Sequence, residues 1–514
     1  MLAQGKVLAA AFGLALAVAL FFAPSSRFGF VAIDDQDYVT ENERVKRGLS
    51  LDGVTWAFSS CGYASNWHPL AWISLMADAT VAHRASSLPK VMHLHNVLLH
   101  AANAAFLLLL MIALLRRLSP GVPLTEESLW ACLLLSLLWA VHPLRMEVVC
   151  WVSERKELLS VFFMLSSLLA YVTWRRLLAL PLLACALLAK PVAVTLPAVF
   201  LAWDWCVCGR VRWGALTAAG VLSAGVCVLT MAAQSDAREV GTVLTLAQRT
   251  NAILGAPVVY LCQTVLPQDL SFCYARSAGV DGLTVVPGVA LLFGMAAVCL
   301  LWKVRGIRAC GVAAFFISWC YVGLLPMLGI VKVGSQEHSD RYTYWIGCGL
   351  AVLAAHAVVP LLRRTDARRV LAVLLGVAVS YSLAGRGRMA KWRDTVTLFR
   401  DAVSKSFAPE VAGVLANELL KRGGDGIAEA EHWLRESATR TPTARGNLEL
   451  AAFLLVKPMD CAVTGVSEAD PYLEAEWLLK GALEAEPDYE RAQKAMKLCK
   501  IKQEAWRKAV RSRR

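Results

Sequence analysis

The chain of 514 residues lacks a glycine-rich loop closed by Lys-Ser/Thr, so it has no ready cradle for a nucleotide phosphate. It also lacks the Gly-X-Ser-X-Gly elbow that presents a serine nucleophile. ATP-driven transport and serine hydrolysis therefore have no foothold. The 15 cysteines form no metal-ligand pattern. Cys206 and Cys208 stand without a second pair, and Cys132, Cys185, Cys227, Cys299, Cys310, Cys320 and Cys348 fall inside apolar runs. In such runs cysteine acts as a small hydrophobe, so neither a zinc centre nor a disulfide framework is expected. Charge is sparse, at 18% of residues against about 25% in soluble domains.

What is present is apolar. Hydrophobic residues make up 57% of the chain and mean hydropathy is +0.52, beyond the roughly 45–50% apolar content of a soluble fold. The excess comes in charge-free runs such as 7–23, 94–115 and 285–302, long enough for a helix to cross a bilayer core of ~30 Å. Eleven spans are predicted, at 7–24, 94–115, 129–149, 157–174, 177–189, 190–205, 213–232, 285–302, 309–330, 342–363 and 368–384. The fold class is thus an all-α, multi-pass membrane protein, and residues 1–23 read as a retained span rather than a cleaved signal.

Formal charge is +13, but the basic residues sit in short clusters between spans and in the tail, which argues against a nucleic-acid groove. Lys6, Arg116–Arg117, Arg175–Arg176, Arg210/Arg212, Lys303/Arg305/Arg308 and Arg363–Arg364/Arg368–Arg369 fall on one side, the cytoplasmic one by the positive-inside rule. That agreement requires 251–266 to be re-entrant or interfacial and 177–205 to cross twice; a single crossing at 177–205 is the rival. The outer side then receives loop 25–93, segments 148–156, 233–284 and 331–341, and everything after about 385. Loop 25–93 carries Trp56, Phe58, Tyr63, Trp67 and Trp72, a density that predicts amphipathic helices along the interface. From Ala408 the chain turns soluble and helical. Segments 409–442 and 443–487, with an insertion at 457–471, have a period close to the ~34 of tetratricopeptide repeats. The basic stretch beyond Arg491 reads as a solvated helix face.

Three polar constellations at the outer boundary draw notice. Asp34 and Asp35 follow the first span, and adjacent carboxylates there suit a general base that takes a proton from an attacking hydroxyl. The run from His142 to Glu157 mixes signs tightly; Arg155 and Lys156 suit a phosphate leaving group, and Glu147 suits pairing with them or holding an acceptor. Asp340, Arg341, Tyr342 and Tyr344 open a later span, where a charged pair at the membrane edge marks function by default. Lys190 before Pro191 qualifies on the same ground, and His68, His93 and His100 are weaker candidates. Plain salt bridges and satisfied histidines are the bland alternative for each. Asp34, Asp35 and Asp340 are compatible with a divalent metal if they meet, but the spacing specifies none, and no cofactor is indicated.

At these residues the chain resembles the multi-span O-mannosyltransferases that carry tetratricopeptide repeats, the cadherin-directed enzymes of the endoplasmic reticulum and their bacterial relatives. The matching stretches are 33–42, 67–72, 93–100, 142–156, Lys190–Pro191, 266–270, 340–344 and 391–394, in order over about 1–400. The resemblance implies a GT-C fold over 1–385 with a degenerate tetratricopeptide-like domain over 386–514. It further implies inverting transfer of a hexose, mannose among the candidates, from a polyprenyl-phosphate donor to a protein or glycan hydroxyl. Carried over by position, Asp34 or Asp35 is the base, and Arg155, Lys156, Lys190 and Arg341 face the donor phosphate. His93, His142, Glu147, Asp340 and Tyr342 contact sugar or acceptor. Membrane lipid and a protein bound by the tail are the other implied partners. The few, worn repeats depart from the family, and the absence of any Asn-X-Ser/Thr site points to a bacterial inner membrane over the endoplasmic reticulum. A transporter or flippase, or an inactive scaffold, are the competing classes. The gathering of ionisable residues at one face disfavours the former, and the paired aspartates disfavour the latter.

Overall fold

The computed structural model describes residues 3–60, 62–82, 84–118, 123–173, 175–233, 244–274, 279–305, 308–328, 336–440, 443–456, 470 and 472–511. Among them all regular structure is helical, with no strand. Parts of the expected outer segments 233–284 and 331–341, the insertion at 457–471 except Asp470, and Arg513 and Arg514 lie outside the described residues. Two compact units emerge, Met1–Asp394 and Thr395–Arg514. The division falls later than the expected 385 because the helix Ala367–Lys391 runs straight through that point.

Among the described residues six helices are long and apolar enough to cross a membrane: Gln4–Arg27, Ala85–Leu118, Trp213–Ala233, Gly282–Val304, Asp340–Leu361 and Ala367–Lys391. The protein is a helical membrane protein. The remaining expected spans also fall on helices, but on broken or short ones. Glu126–Val141 and Pro143–Cys150 are bent by 55°, because Pro143 has no N–H to continue the ladder. Arg155–Val172 is 18 residues long and opens with three charged side chains, whereas Leu177–Ala189, Pro191–Val207 and Gly311–Met327 are short.

The helix Leu88–Leu118 is the hub of the first unit. One face of it carries His93, Asn96, His100 and Asn103, a three-and-four spacing that lines them up, and all four are buried. His93 Nε2 meets the Gly29 carbonyl at 3.2 Å, and Asn96 donates to the Trp151 carbonyl at 3.0 Å. His100 Nδ1 lies 2.7 Å from the Tyr344 hydroxyl, and Asn103 donates to the same hydroxyl at 3.0 Å. Where lipid supplies no hydrophobic drive between helices, such bonds fix how neighbours sit.

The first loop is helical, as expected, and it also builds a core. Its helices Leu51–Ser59 and Pro69–Ala82 do not merely present aromatic faces outward; they close over a core of their own. Trp72 is fully buried, with ring centroids of Tyr38, Trp56 and Tyr63 at 4.6, 5.5 and 5.6 Å. Aromatic density signals burial as readily as an interface, and here Trp67 and Trp72 are buried while Phe58 and Tyr63 stay exposed.

In the second unit, helices Pro409–Arg422 and Gly426–Arg440 pack together, as do Ala444–Val456 and Leu473–Ala485, and Glu490–Arg511 packs on the last of these. The unit is a stack of helix pairs, each burying alanine and leucine.

Candidate active site, an ion-pair chain at helix breaks

Four breaks in the helical pattern bring the site together. After the first span, the turn before the short helix Gln36–Thr40 presents Asp34 and Asp35. The helix Met146–Cys150 stops at an extended Trp151, and a single turn, Val152–Glu154, precedes Arg155–Val172. Pro191 forces Lys190 into an extended conformation (φ −158°, ψ 134°) between two helices. The turn Asp340–Tyr342 opens the helix Thr343–Leu361.

The charged side chains at these breaks form one continuous chain. Lys156 Nζ lies 3.2 Å from Asp34 and 3.7 Å from Glu154. Lys190 Nζ lies 3.1 Å from Glu154 and 2.7 Å from Glu157. Arg341 pairs with Glu147 at 2.6 Å and approaches Glu154 at 3.5 Å. Glu154 is thus the hub on which three cations converge. Burial pushes its carboxyl up, but attraction to Lys190, Lys156 and Arg341 prevails and holds it at about 2. Aromatic rings floor the cations: Lys156 stands 4.4 Å over Tyr38, and Arg341 5.5 Å over Trp151 and 5.1 Å over Tyr342.

The two aspartates part company. Asp35 is 1% exposed; its carboxylate accepts from the Ser153 hydroxyl (2.5 Å), the Ser153 N–H (3.0 Å) and the Val31 N–H (3.0 Å). Burial outweighs these bonds and raises its carboxyl to about 6. The Asp34 side chain is 41% exposed, with Lys156 as its ion-pair partner. Asp34 is the accessible carboxylate of the pair. Beside them His68 stacks on Tyr38 at 5.3 Å, and burial followed by repulsion from Lys156 and Lys190 pushes its imidazole well below the usual range.

Asp340 sits next to the chain rather than in it. It accepts from the Tyr274 hydroxyl at 2.7 Å and has Arg388 at 3.9 Å, while its neighbour Ser339 donates to Glu147 at 3.1 Å. Burial and the nearby Asp340 push the Tyr274 phenol up.

Three expected site residues go elsewhere. Arg155 is fully buried among Asp78 (2.8 Å), Asn96 (2.5 Å), Ser74 (2.8 Å) and the Met92 carbonyl (2.7 Å), so its fork ties the first loop to the hub helix and stays out of the ion-pair chain. His93 is taken by Gly29. His142 is taken by the Thr264 carbonyl at 3.1 Å and by the Leu144 N–H, which it caps at 3.2 Å. The contributions of Glu154, Glu157, Ser153 and Tyr38 were not legible as separate roles, although all lie within the stretches singled out. Arg145 was passed over as well. Its guanidinium is buried 5.6 Å from both the Trp139 and Tyr344 rings, with no carboxylate partner among the described residues.

Among the described residues no three His, Cys, Asp or Glu side chains are grouped to hold a metal. Comparison with known protein families, curated proteins and solved structures finds no match to this chain.

Proposed function

We propose that the chain is an inverting glycosyltransferase of the GT-C kind that takes a hexose from a polyprenyl-phosphate donor, with Asp34 as general base. The observation that carries this reading is the unbroken chain from an accessible carboxylate, Asp34, through Lys156 and Glu154 to Lys190 and Arg341. In the reaction, an acceptor hydroxyl gives its proton to Asp34 as its oxygen attacks the anomeric carbon. The anomeric carbon–phosphate oxygen bond breaks, and the electron pair leaves with polyprenyl phosphate. The negative charge gathering there is what Lys156, Lys190 and Arg341 are suited to stabilise, sharing themselves between Glu154 and the phosphate. Asp35, already holding three hydrogen bonds, positions its neighbour by fixing the turn to Ser153.

A second feature supports a lipid-linked donor. An apolar cavity of about 250 Å³ is lined by Tyr260, Leu261, Phe316, Tyr321 and Leu350, and the Tyr260 hydroxyl accepts from the Ser339 N–H at 3.2 Å, two residues from Arg341. A prenyl chain fits that chemistry. The site and the helix-pair unit face the periplasm of a bacterial inner membrane in this reading, with a protein or glycan hydroxyl as acceptor and the helix-pair unit, read as degenerate tetratricopeptide repeats, as a surface for a partner protein.

The test is turnover. Purified protein in lipid, given polyprenyl-phosphate mannose or glucose and membrane extract, should release polyprenyl phosphate, and Asp34→Asn should lower the rate by about 10²–10⁴-fold. Full activity in Asp34→Asn removes the base assignment. No turnover of any donor removes the enzyme.

A further inference from the structure

A second crevice of the first unit lies far from the ion-pair chain. It measures about 750 Å³, within the roughly 300–1,000 Å³ of ligand pockets, and is bounded by the first span, the hub helix, Arg155–Val172 and Arg176–Ala189. Its lining includes Thr173, at the opposite end of the Arg155–Val172 helix from Lys156, about 25 Å along the axis. The two sites therefore address opposite leaflets.

The lining is divided. Phe106, Ile112, Phe162 and Leu182 make an apolar wall along the helices, while Arg116 and Arg175 stand at its polar end. Both arginines are exposed, and among the described residues neither has an ion-pair partner. Glu126, at the start of the next helix, is bonded to Lys6. Thr173 donates its hydroxyl proton to the Leu169 carbonyl at 2.7 Å, which leaves the guanidinium groups and the Gln4 amide as donors to a guest.

We infer that this crevice is a binding site for one anionic phospholipid of the leaflet opposite the ion-pair chain. Arg116 and Arg175 hold the headgroup phosphate, and the acyl chain lies along the Phe106–Ile112 and Phe162 wall. The occupant follows from charge and shape together. An apolar trough inside a membrane protein takes a hydrocarbon chain, and two unpaired guanidinium forks at its mouth select a phosphate bearing net negative charge over a zwitterion.

The full-length protein is reconstituted in phosphatidylcholine nanodiscs with a minor fraction of phosphatidylglycerol, then released gently, and its retained lipids are counted by native mass spectrometry. Wild type should keep phosphatidylglycerol in preference to phosphatidylcholine. Arg116→Ala/Arg175→Ala should lose that preference by about 25-fold, two basic groups at ~1 kcal/mol each near an anionic surface being about five-fold apiece. Leu8→Trp, a substitution at a half-exposed lining position, should lose it with both arginines intact by filling the trough. Arg369→Ala, at an exposed arginine outside the crevice, should keep it. Each variant is compared only when its melting transition matches wild type. Equal retention of the two lipids by wild type overturns the inference, as does preference surviving in the double variant or in Leu8→Trp. Displacement of the lipid by free glycerol phosphate would show a headgroup-only site and overturn it too.

Discussion

At the scale of the residue, adjacent positions do different work. Asp34 and Asp35 are neighbours in sequence, yet one faces outward to Lys156 and the other is locked inward on Ser153. Arg155 and Lys156 split in the same way, one bound to Asp78 and the other to Asp34. Sequence spacing singled out both pairs but had no means of telling the members apart, because the split depends on which helix each side chain meets. The folded Asp35 carboxyl at about 6, against 3.8 when unperturbed, has a signed consequence. Between those values the folded chain keeps a proton that the unfolded chain has released. Stability therefore falls as pH rises from about 4 to 6, by up to ~3 kcal/mol, and is level above that. Asp35→Asn cannot ionise, so its melting temperature should fall less than that of wild type across this window; parallel curves would refute the assignment. Glu154 offers a second test, since it neutralises three cations. Glu154→Gln should tighten product inhibition by polyprenyl phosphate by roughly ten-fold, the equivalent of one 1.4 kcal/mol charge contact, while lowering the melting temperature. Unchanged inhibition would mean the phosphate does not share those cations.

At the scale of the element, helices were legible because a bilayer demands length and apolarity: six of the expected spans coincide with helices long enough to cross, and the others fall on broken or short ones. The breaks were less legible, although they hold the candidate site. Pro191 announces one of them, whereas the extended Trp151 has no local signature and is held from a distance by Asn96. The core of the aromatic loop was not legible because rings at a membrane edge and rings in a small core share a composition. The polar face of the hub helix explains how the breaks are kept in register, since the Tyr344 hydroxyl joins His100 and Asn103 just beyond the Asp340–Tyr342 turn. Tyr344→Phe removes both bonds and should cost about 1–2 kcal/mol, seen as a lower melting temperature, with the donor rate falling alongside. A stable but inactive variant would instead place Tyr344 in the chemistry, and an unchanged variant would deny the face any organising role.

At the scale of the whole molecule, the candidate site falls within one of the two units. Every residue of the ion-pair chain, the apolar cavity near Tyr260 and the opposite crevice belong to the unit ending at Asp394. The ion pairs of the second unit are of another kind. Arg435–Glu431, Arg440–Glu436, Arg445–Glu449 and Lys480–Glu476 are partly exposed, four residues apart on single helices, and stabilise by only a few tenths of a kcal/mol each. Such pairs keep a helical stack soluble and leave its faces available. Turnover of the donor on a small hydroxyl acceptor should therefore survive removal of Thr395–Arg514, whereas transfer to a macromolecular acceptor should fall, since a tethered surface raises the effective concentration of what it binds. Measuring both reactions on full-length and shortened proteins with matching melting transitions separates the roles. If the shortened protein loses both reactions equally, the second unit takes part in building the site, and the two roles do not separate.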